Sequence, residues 1–448
     1  MMRRTASTRM MFIALCIISS GCPSSTTKDI ELKKCTAIIR QASAGQQSSP
    51  AVEAEFWLEK ARTETSRVVM EPHAVSDLNQ RASKERFGFQ NILSEAVASH
   101  ERTTHDLAER SAWLRSRVSD GEYIESEDGA LEVALAVVRA AKPTDEFRIV
   151  HRETRLGCVP MDSALYKPPI DLAFDRNRCS ELHAGEVMRV LRIWTAGNPD
   201  INSGWLYGHT GHSVGWVHAE SMTPPITRHD ADHFLNATDR IVATDDSDVM
   251  RLGRSAPIMG EDASTWTILW PDATGLSARS IPKSEPLQRG YPVFTRQAVV
   301  QAAITQLGQP YGWGGYAGHR DCSRFVMDVF GSFGIHLPRF SGYQSKSGVR
   351  TVDVRGLSEE QKIRRIKHAS KAGVVLLYMQ GHIMLYLGFS ENKPWAISSI
   401  SEYRRPCGER EAQTVRLDRI AITDLELGRH TERAAFIERI QTLAVFGT

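Results

Sequence analysis

The chain has 448 residues, 41% hydrophobic and 24% charged, an ordinary globular composition that excludes a fibrous or wholly disordered protein. Its 55 Lys and Arg against 53 Asp and Glu leave a net charge of +2, so there is no basic footprint for wrapping nucleic acid. At ~150 residues per domain, the length accommodates about three domains. The only long apolar run lies at the extreme N-terminus, so any membrane attachment is expected there.

Arg3 and Arg4 precede an apolar stretch from Met10 to Ile18, and Ser19-Ser20-Gly21-Cys22 follows. A basic start, a short apolar core and small residues predict an export signal, too short for a hydrocarbon core that needs ~20 residues. Small-small-Cys resembles a bacterial lipobox, with Ser19 in place of the usual Leu; the resemblance implies a lipid on Cys22 and a place in the cell envelope. Pro23 to Lys28 reads as a tether. Removing Cys16 and Cys22 from the seven cysteines leaves five: Cys35, Cys158, Cys179, Cys322 and Cys407. With no CxxC pair among them, neither a zinc ribbon nor a disulfide framework is expected, and the odd number points to a reactive thiol.

From about residue 50 to 142 the pattern predicts helices, notably Asn91–Val118 and Leu131–Ala141, with no chemical motif. From about 147 it changes to short strands punctuated by Gly, Asn, Asp and Pro. Glu186–Trp194, Gly204–Thr210 and Gly215–Glu220 form one block, and Arg240–Asp245, Thr265–Pro271 and Leu276–Pro282 a second, with Trp205 and Trp266 at matching places. Two small β-barrels are expected, and their cadence resembles tandem bacterial SH3 domains. His229 and His233, four residues apart between the blocks, lack a third ligand, so no metal is assigned.

After Pro292 helices and strands mix. Thr295 is placed to cap a helix with Val299, Val300, Ala303, Ile304 and Leu307 on one face. Tyr311-Gly312-Trp313-Gly314-Gly315 then leads to Asp321-Cys322-Ser323, and Phe325, Val326, Val329, Phe330 and Phe333 repeat at helical spacing. Asp321 is a natural N-cap, so Cys322 falls in the first turn, where unpaired N–H groups and partial positive charge favour thiolate and can receive an oxyanion. A thiolate nucleophile needs an imidazole. Sixty residues on, Gly381-His382 opens the strand Ile383 to Leu387 just after the apolar strand Gly373–Gln380, which places His382 at a strand edge. The Gly-rich turn has no following Lys-Ser or Lys-Thr, so it cradles no phosphate and no cofactor is implied.

Four blocks in this region, LGQPYGWGG, DCSRFVMDVF, FGIHLPRFSGYQ and GHIMLYLG, together resemble the NlpC/P60 cysteine peptidases of bacterial cell walls over roughly residues 295–425. The resemblance implies an α+β protein: a papain-like catalytic domain behind two SH3-like barrels and a helical clip-like segment. The implied boundaries are 1–22 for the signal, 23–145 for tether and helices, 146–225 and 226–288 for the barrels, and 289–448 for the catalytic domain. It implies Cys322 as nucleophile and His382 as base, with Tyr311 beside an oxyanion hole that includes the Cys322 N–H. Asp321 and Ser323 would hold the free amine of a substrate L-Ala. The third member, often His, falls on Ser398 after a loop about four residues longer than usual, or on Ser399 if the register shifts by one. Glu186 is a further conceivable amine partner. The expected reaction is cleavage of the γ-D-glutamyl–diamino acid bond of peptidoglycan stem peptides, with free N-terminal L-Ala preferred. The alternative is a lipid-anchored binding protein with a weakened peptidase domain.

Overall fold

The computed structural model describes residues 50–63, 67–82, 89–195, 204–407 and 410–447. The export signal and Cys22 lie outside the described residues, among which no helix is long and apolar enough to cross a membrane.

The C-terminal part is built on an antiparallel six-stranded sheet. Its order is Arg350–Asp353, Thr442–Phe446, Val374–Met379, His382–Ser390, Lys393–Cys407 and Arg410–Asp424. Side chains alternate along a strand, and both faces of this sheet are covered. Val374, Leu376, Ile383 and Leu385 face a core shared with the helices Arg296–Ile304 and Cys322–Gly331. Val375, Leu377 and Met384 face a second core beneath the helix Glu359–Ala372. These strands therefore read as unbroken apolar runs. Burying such a side chain contributes about 1.5–3 kcal/mol.

The expected long loop before Ser398 is absent. Glu391 and Asn392, both at positive φ (50° and 60°), make a two-residue turn between His382–Ser390 and Lys393–Cys407. Paired positive φ angles match the twist of a tight hairpin.

The helical stretch is divided between two packing partners. The helix Ala54–Thr63 sends Trp57, 1% exposed, into the first of these cores beside Trp395, 6.4 Å between ring centres. Gly388 is required there, because a Cβ would come 2.6 Å from the Trp57 ring. Val68–Met70 pairs with Phe294–Thr295. The helices His100–Ser119 and Ala130–Ala140 instead pack on the first β block through Leu107, Leu114, Leu131 and Leu135. The longer of these starts later than expected, because the Ser99 hydroxyl caps it by accepting from Arg102 N at 3.2 Å.

The first β block is a six-stranded antiparallel sheet ordered Lys142–Ile149, Val187–Thr195, Gly204–His209, Val214–His218, Thr154–Gly157 and Arg178–Leu182. The second has five strands ordered Gly275–Pro282, Thr265–Asp272, Ser255–Glu261, Arg240–Ala243 and Leu287–Arg289. Among the described residues neither ladder closes into the expected barrel. His229 and His233 are exposed on the connecting helix Arg228–Asn236.

One cysteine expectation is corrected. Cys158 and Cys179 form a disulfide, Cα atoms 5.2 Å apart. They are 21 residues apart in sequence but adjacent in space, because Gly157 pairs with Arg178 across two strands. Cys407 is also disulfide-bonded, and Cys322 is the free thiol among the described residues.

Candidate active site

Cys322 opens the helix Cys322–Gly331, every residue of which from Cys322 to Phe330 is buried. Asp321 caps it by accepting from Arg324 N at 2.9 Å. At the first helical position the Cys322 N–H has no intrahelical acceptor. The Gly-rich turn folds back on this cap: Gly314, at φ 62°, donates its N–H to Asp321 at 3.0 Å.

Asp321 and Ser323 are both engaged by one neighbouring side chain. Arg339 donates to both Asp321 oxygens, at 3.0 and 2.6 Å, and to the Ser323 hydroxyl at 2.8 Å. Ser323 in turn donates to Asp321 at 3.0 Å. Both side chains are buried. Burial works against the Asp321 charge, but Arg339 outweighs it and keeps the carboxyl below its ordinary value. Arg339 is the partner that the sequence reading missed, although it stands inside the FGIHLPRFSGYQ block.

Burial pushes the Cys322 thiol up to about 12, and the Asp321 carboxylate adds to the shift. The N–H groups of Ile383 and Ser323 and the Arg339 charge oppose it. The helix terminus expected to favour thiolate is thus outweighed, and the resting group is a thiol.

His382 forms the closing pair of a hairpin with Met379, across the two residues Gln380 and Gly381, the latter at φ 80°. This puts the imidazole on the strand edge, half-buried, with its neighbour Ile383 facing the sulfur. Its Nε2 lies 3.1 Å from the Ser398 hydroxyl. In the Nε2–H tautomer the ring donates to Ser398 and keeps Nδ1 as its basic nitrogen. Ser399 points elsewhere and donates to the carbonyl of Arg320 at 2.6 Å. Burial pulls His382 down to about 4, the Arg439 charge pushes the same way, and Asp321 opposes.

Cys322 and His382 line one cleft of about 500 Å³ with Tyr311 and Trp313. Burial, with the charges of Asp321 and Cys322, holds the Tyr311 phenol well above its ordinary value, so it remains a hydrogen-bond donor. The rim comes from the connection that leads into the strand Arg178–Leu182 of the first sheet. Phe174 packs on Tyr311 and Trp313, at 6.2 and 5.3 Å, and Arg176 stacks on Trp313 at 4.5 Å. Trp313 donates its ring N–H to the Asp175 carbonyl at 2.9 Å. Nothing local in the sequence marks Phe174 or Arg176.

Glu186 lies away from this cleft, at a buried ionic junction. Arg324 donates to Glu186 at 3.0 Å and to Asp328 at 2.8 Å, and Arg254 lies 3.2 Å from Glu186. Arg320 bridges Asp328 and Asp246, at 2.8 and 2.7 Å. The helix Cys322–Gly331 is thereby tied to both β blocks. Glu186 is already neutralised, with a carboxyl held at about 2: burial would raise it, but His212, Arg324 and Arg254 prevail.

Comparison with known proteins bears on this geometry. Residues 308–400 match the NlpC/P60 family. A probable endopeptidase of Mycobacterium tuberculosis is 43% identical over 82 residues, 18% of this chain and 21% of that protein. A gamma-D-glutamyl-L-lysine dipeptidyl-peptidase of Bacillus cereus is 29% identical over 134 residues, 30% of this chain and 38% of the relative. The matched segments thus span well under half the length of these curated relatives. A solved structure of an NlpC/P60 endopeptidase from Photobacterium damselae subsp. piscicida shares the fold. It has a TM-score of 0.65 at 16% identity, over 85% of this chain and 94% of that one.

Proposed function

We propose that the protein is a cysteine endopeptidase that hydrolyses the γ-D-glutamyl–diamino acid bond of peptidoglycan stem peptides. The observation that carries this reading is a free thiol at a buried helix N-terminus sharing a cleft with an imidazole that Ser398 orients. As the Cys322 sulfur attacks the γ-carbonyl carbon, its proton passes to His382 Nδ1. The oxyanion is received by the Cys322 N–H and the Tyr311 hydroxyl. The C–N bond then breaks and His382 returns the proton to the departing amine. Water gives a proton to His382, its oxygen attacks the thioester, and the C–S bond breaks to release the γ-carboxylate and restore the thiol.

The family match of residues 308–400 and the name of the Bacillus cereus relative support the bond assigned. Arg176, which stacks on Trp313 and has no carboxylate partner among the described residues, supports an anionic substrate. The two sheets are read as SH3-like modules, and the rim that the first builds over the cleft supports a preference for released peptides with free N-terminal L-Ala. Lipid attachment at Cys22 would hold the enzyme in the cell envelope. Mass spectrometry of digests of L-Ala-γ-D-Glu-diaminopimelate and of intact sacculi tests the preference, and equal activity on both refutes it. A Cys322→Ala variant that cleaves as well as wild type would instead favour the binding-protein reading, which the neutral third member, Ser398, motivates.

A further inference from the structure

Which diamino acid departs is written in the cleft beyond His382. This inference rests on the peptidase reading, in which His382 protonates the departing nitrogen. The leaving group then lies on the His382 side, away from Tyr311 and Trp313. That side is formed by Gln380, Phe436, Arg433 and Arg439. The Phe436 ring lies 5.7 Å from that of His382, and the Arg439 guanidinium rests 5.6 Å over Phe436. Gln380, Arg433 and Arg439 also line an adjoining hollow of about 590 Å³. Its other charged residues are Arg355, Lys362 and Glu438. The hollow therefore carries four cations and one acid.

Most of these charges are already engaged. Arg433 lies 3.2 Å from Glu402, and Arg355 pairs with Asp353 at 2.5 Å. Lys362 donates to the Glu438 carbonyl at 2.6 Å, and the Glu438 carboxylate accepts from Ala435 N at 2.6 Å. Arg439 is half-buried and has no carboxylate partner among the described residues. A partly desolvated guanidinium without a counter-charge is costly to keep, and it suits a ligand carboxylate in fork geometry.

We infer that Arg439 is a specificity-determining residue that receives the side-chain carboxylate of the departing diamino acid, selecting a diaminodicarboxylic acid such as diaminopimelate over lysine. The lysine side chain offers this cationic wall only an ammonium, and the α-carboxylate is common to both peptides.

The test compares three peptides at pH 7.5 with the full chain: L-Ala-γ-D-Glu-diaminopimelate, the same peptide with its side-chain carboxylate amidated, and L-Ala-γ-D-Glu-L-Lys. The expected kcat/KM for the first exceeds the other two by about 10- to 100-fold, the range of one charge-assisted hydrogen bond. Arg439→Gln abolishes that preference by lowering the rate on the free diaminopimelate peptide to the level of the amidated one, and Arg439→Lys restores part of it. Equal rates on the free and amidated diaminopimelate peptides overturn the inference, as does an Arg439→Gln loss shared by all three. Calorimetric binding of the same peptides to Cys322→Ala reads the preference without turnover. An inactive wild type that still prefers diaminopimelate in binding would refute the peptidase reading alone. An active enzyme without the preference would refute this inference alone.

Discussion

His382 Nε2 lies 3.1 Å from the Ser398 hydroxyl, while the adjacent Ser399 turns its hydroxyl to the Arg320 carbonyl. The two serines thus do different work. Ser398 fixes the plane of the imidazole without supplying charge, so its loss removes one neutral hydrogen bond of about 0.5–1.5 kcal/mol. Ser398→Ala is expected to lower kcat about tenfold with KM nearly unchanged. Ser399→Ala should lower the urea midpoint and leave kcat within about twofold. Steady-state kinetics beside urea unfolding of both variants separate the roles; the opposite pattern would reassign the third member.

The state of the thiol makes a second prediction. With Cys322 pushed up to about 12 and His382 pulled down to about 4, the resting pair is thiol and neutral imidazole throughout the intervening range. Alkylation of Cys322 by iodoacetamide at pH 7 should be slower than that of a free thiol of pKa ~8.5, and should keep rising past pH 9. Catalysis needs neutral imidazole, so kcat/KM should hold down to about pH 5 and fall through about 4. Arg439→Gln removes a neighbouring positive charge, raising the imidazole and moving that limb upward. An alkylation plateau below pH 7 would show a resting thiolate.

The ionic junction predicts stability. Glu186 faces Arg324 at 3.0 Å and Arg254 at 3.2 Å; Glu186 and Arg324 are closed to water and Arg254 is partly exposed. Removing one partner strands the others, at a cost of about 3–5 kcal/mol. Glu186→Ala and Arg324→Leu should both lower the urea midpoint markedly. The double variant should fall short of the sum, because the same contact is counted once. Strict additivity would mean that the pair is not coupled.

Acid should weaken the fold at the same junction. His212, held by burial at about 4, and His183, pushed well down by burial, have ordinary values of 6.5. The unfolded chain therefore binds more protons than the folded one as pH falls from about 6.5, and stability drops through about 4. Glu186, depressed from 4.5 to about 2, adds a loss that begins near 4.5 and continues to about 2. Urea midpoints at pH 7.5, 5.5 and 4.5 should decrease in that order. A flat profile would place protonated histidines in the folded state.

Legibility in the sequence followed the range of the interaction. The Asp321 cap, the helix behind Cys322, the strand starting at His382 and the cap at Thr295, whose hydroxyl accepts from Ala298 N at 3.0 Å, are all local, and each left a mark in neighbouring residues. Arg339 reaching back 18 residues to Asp321 left none. Neither did Arg324 meeting Glu186 across 138 positions, nor Phe174 on the cleft rim. The thiolate expectation meets its opposition at the same range: the helix terminus is visible in sequence, whereas the burial that pushes the thiol up is made by residues far along the chain. The serine register was ambiguous because both serines are fully buried on one strand, and which of them meets His382 depends on the pairing of Leu385 with Ile397.

The disulfide between Cys158 and Cys179 clasps the segment that carries Phe174 and Arg176 to the cleft. Closing a loop of this size is worth about 3 kcal/mol in the chain-entropy account. Its practical consequence concerns the host in which the enzyme is made. Material recovered from a reducing cytoplasm would have every catalytic side chain and a slack rim, and low turnover from such a preparation would report on its oxidation state rather than on Cys322.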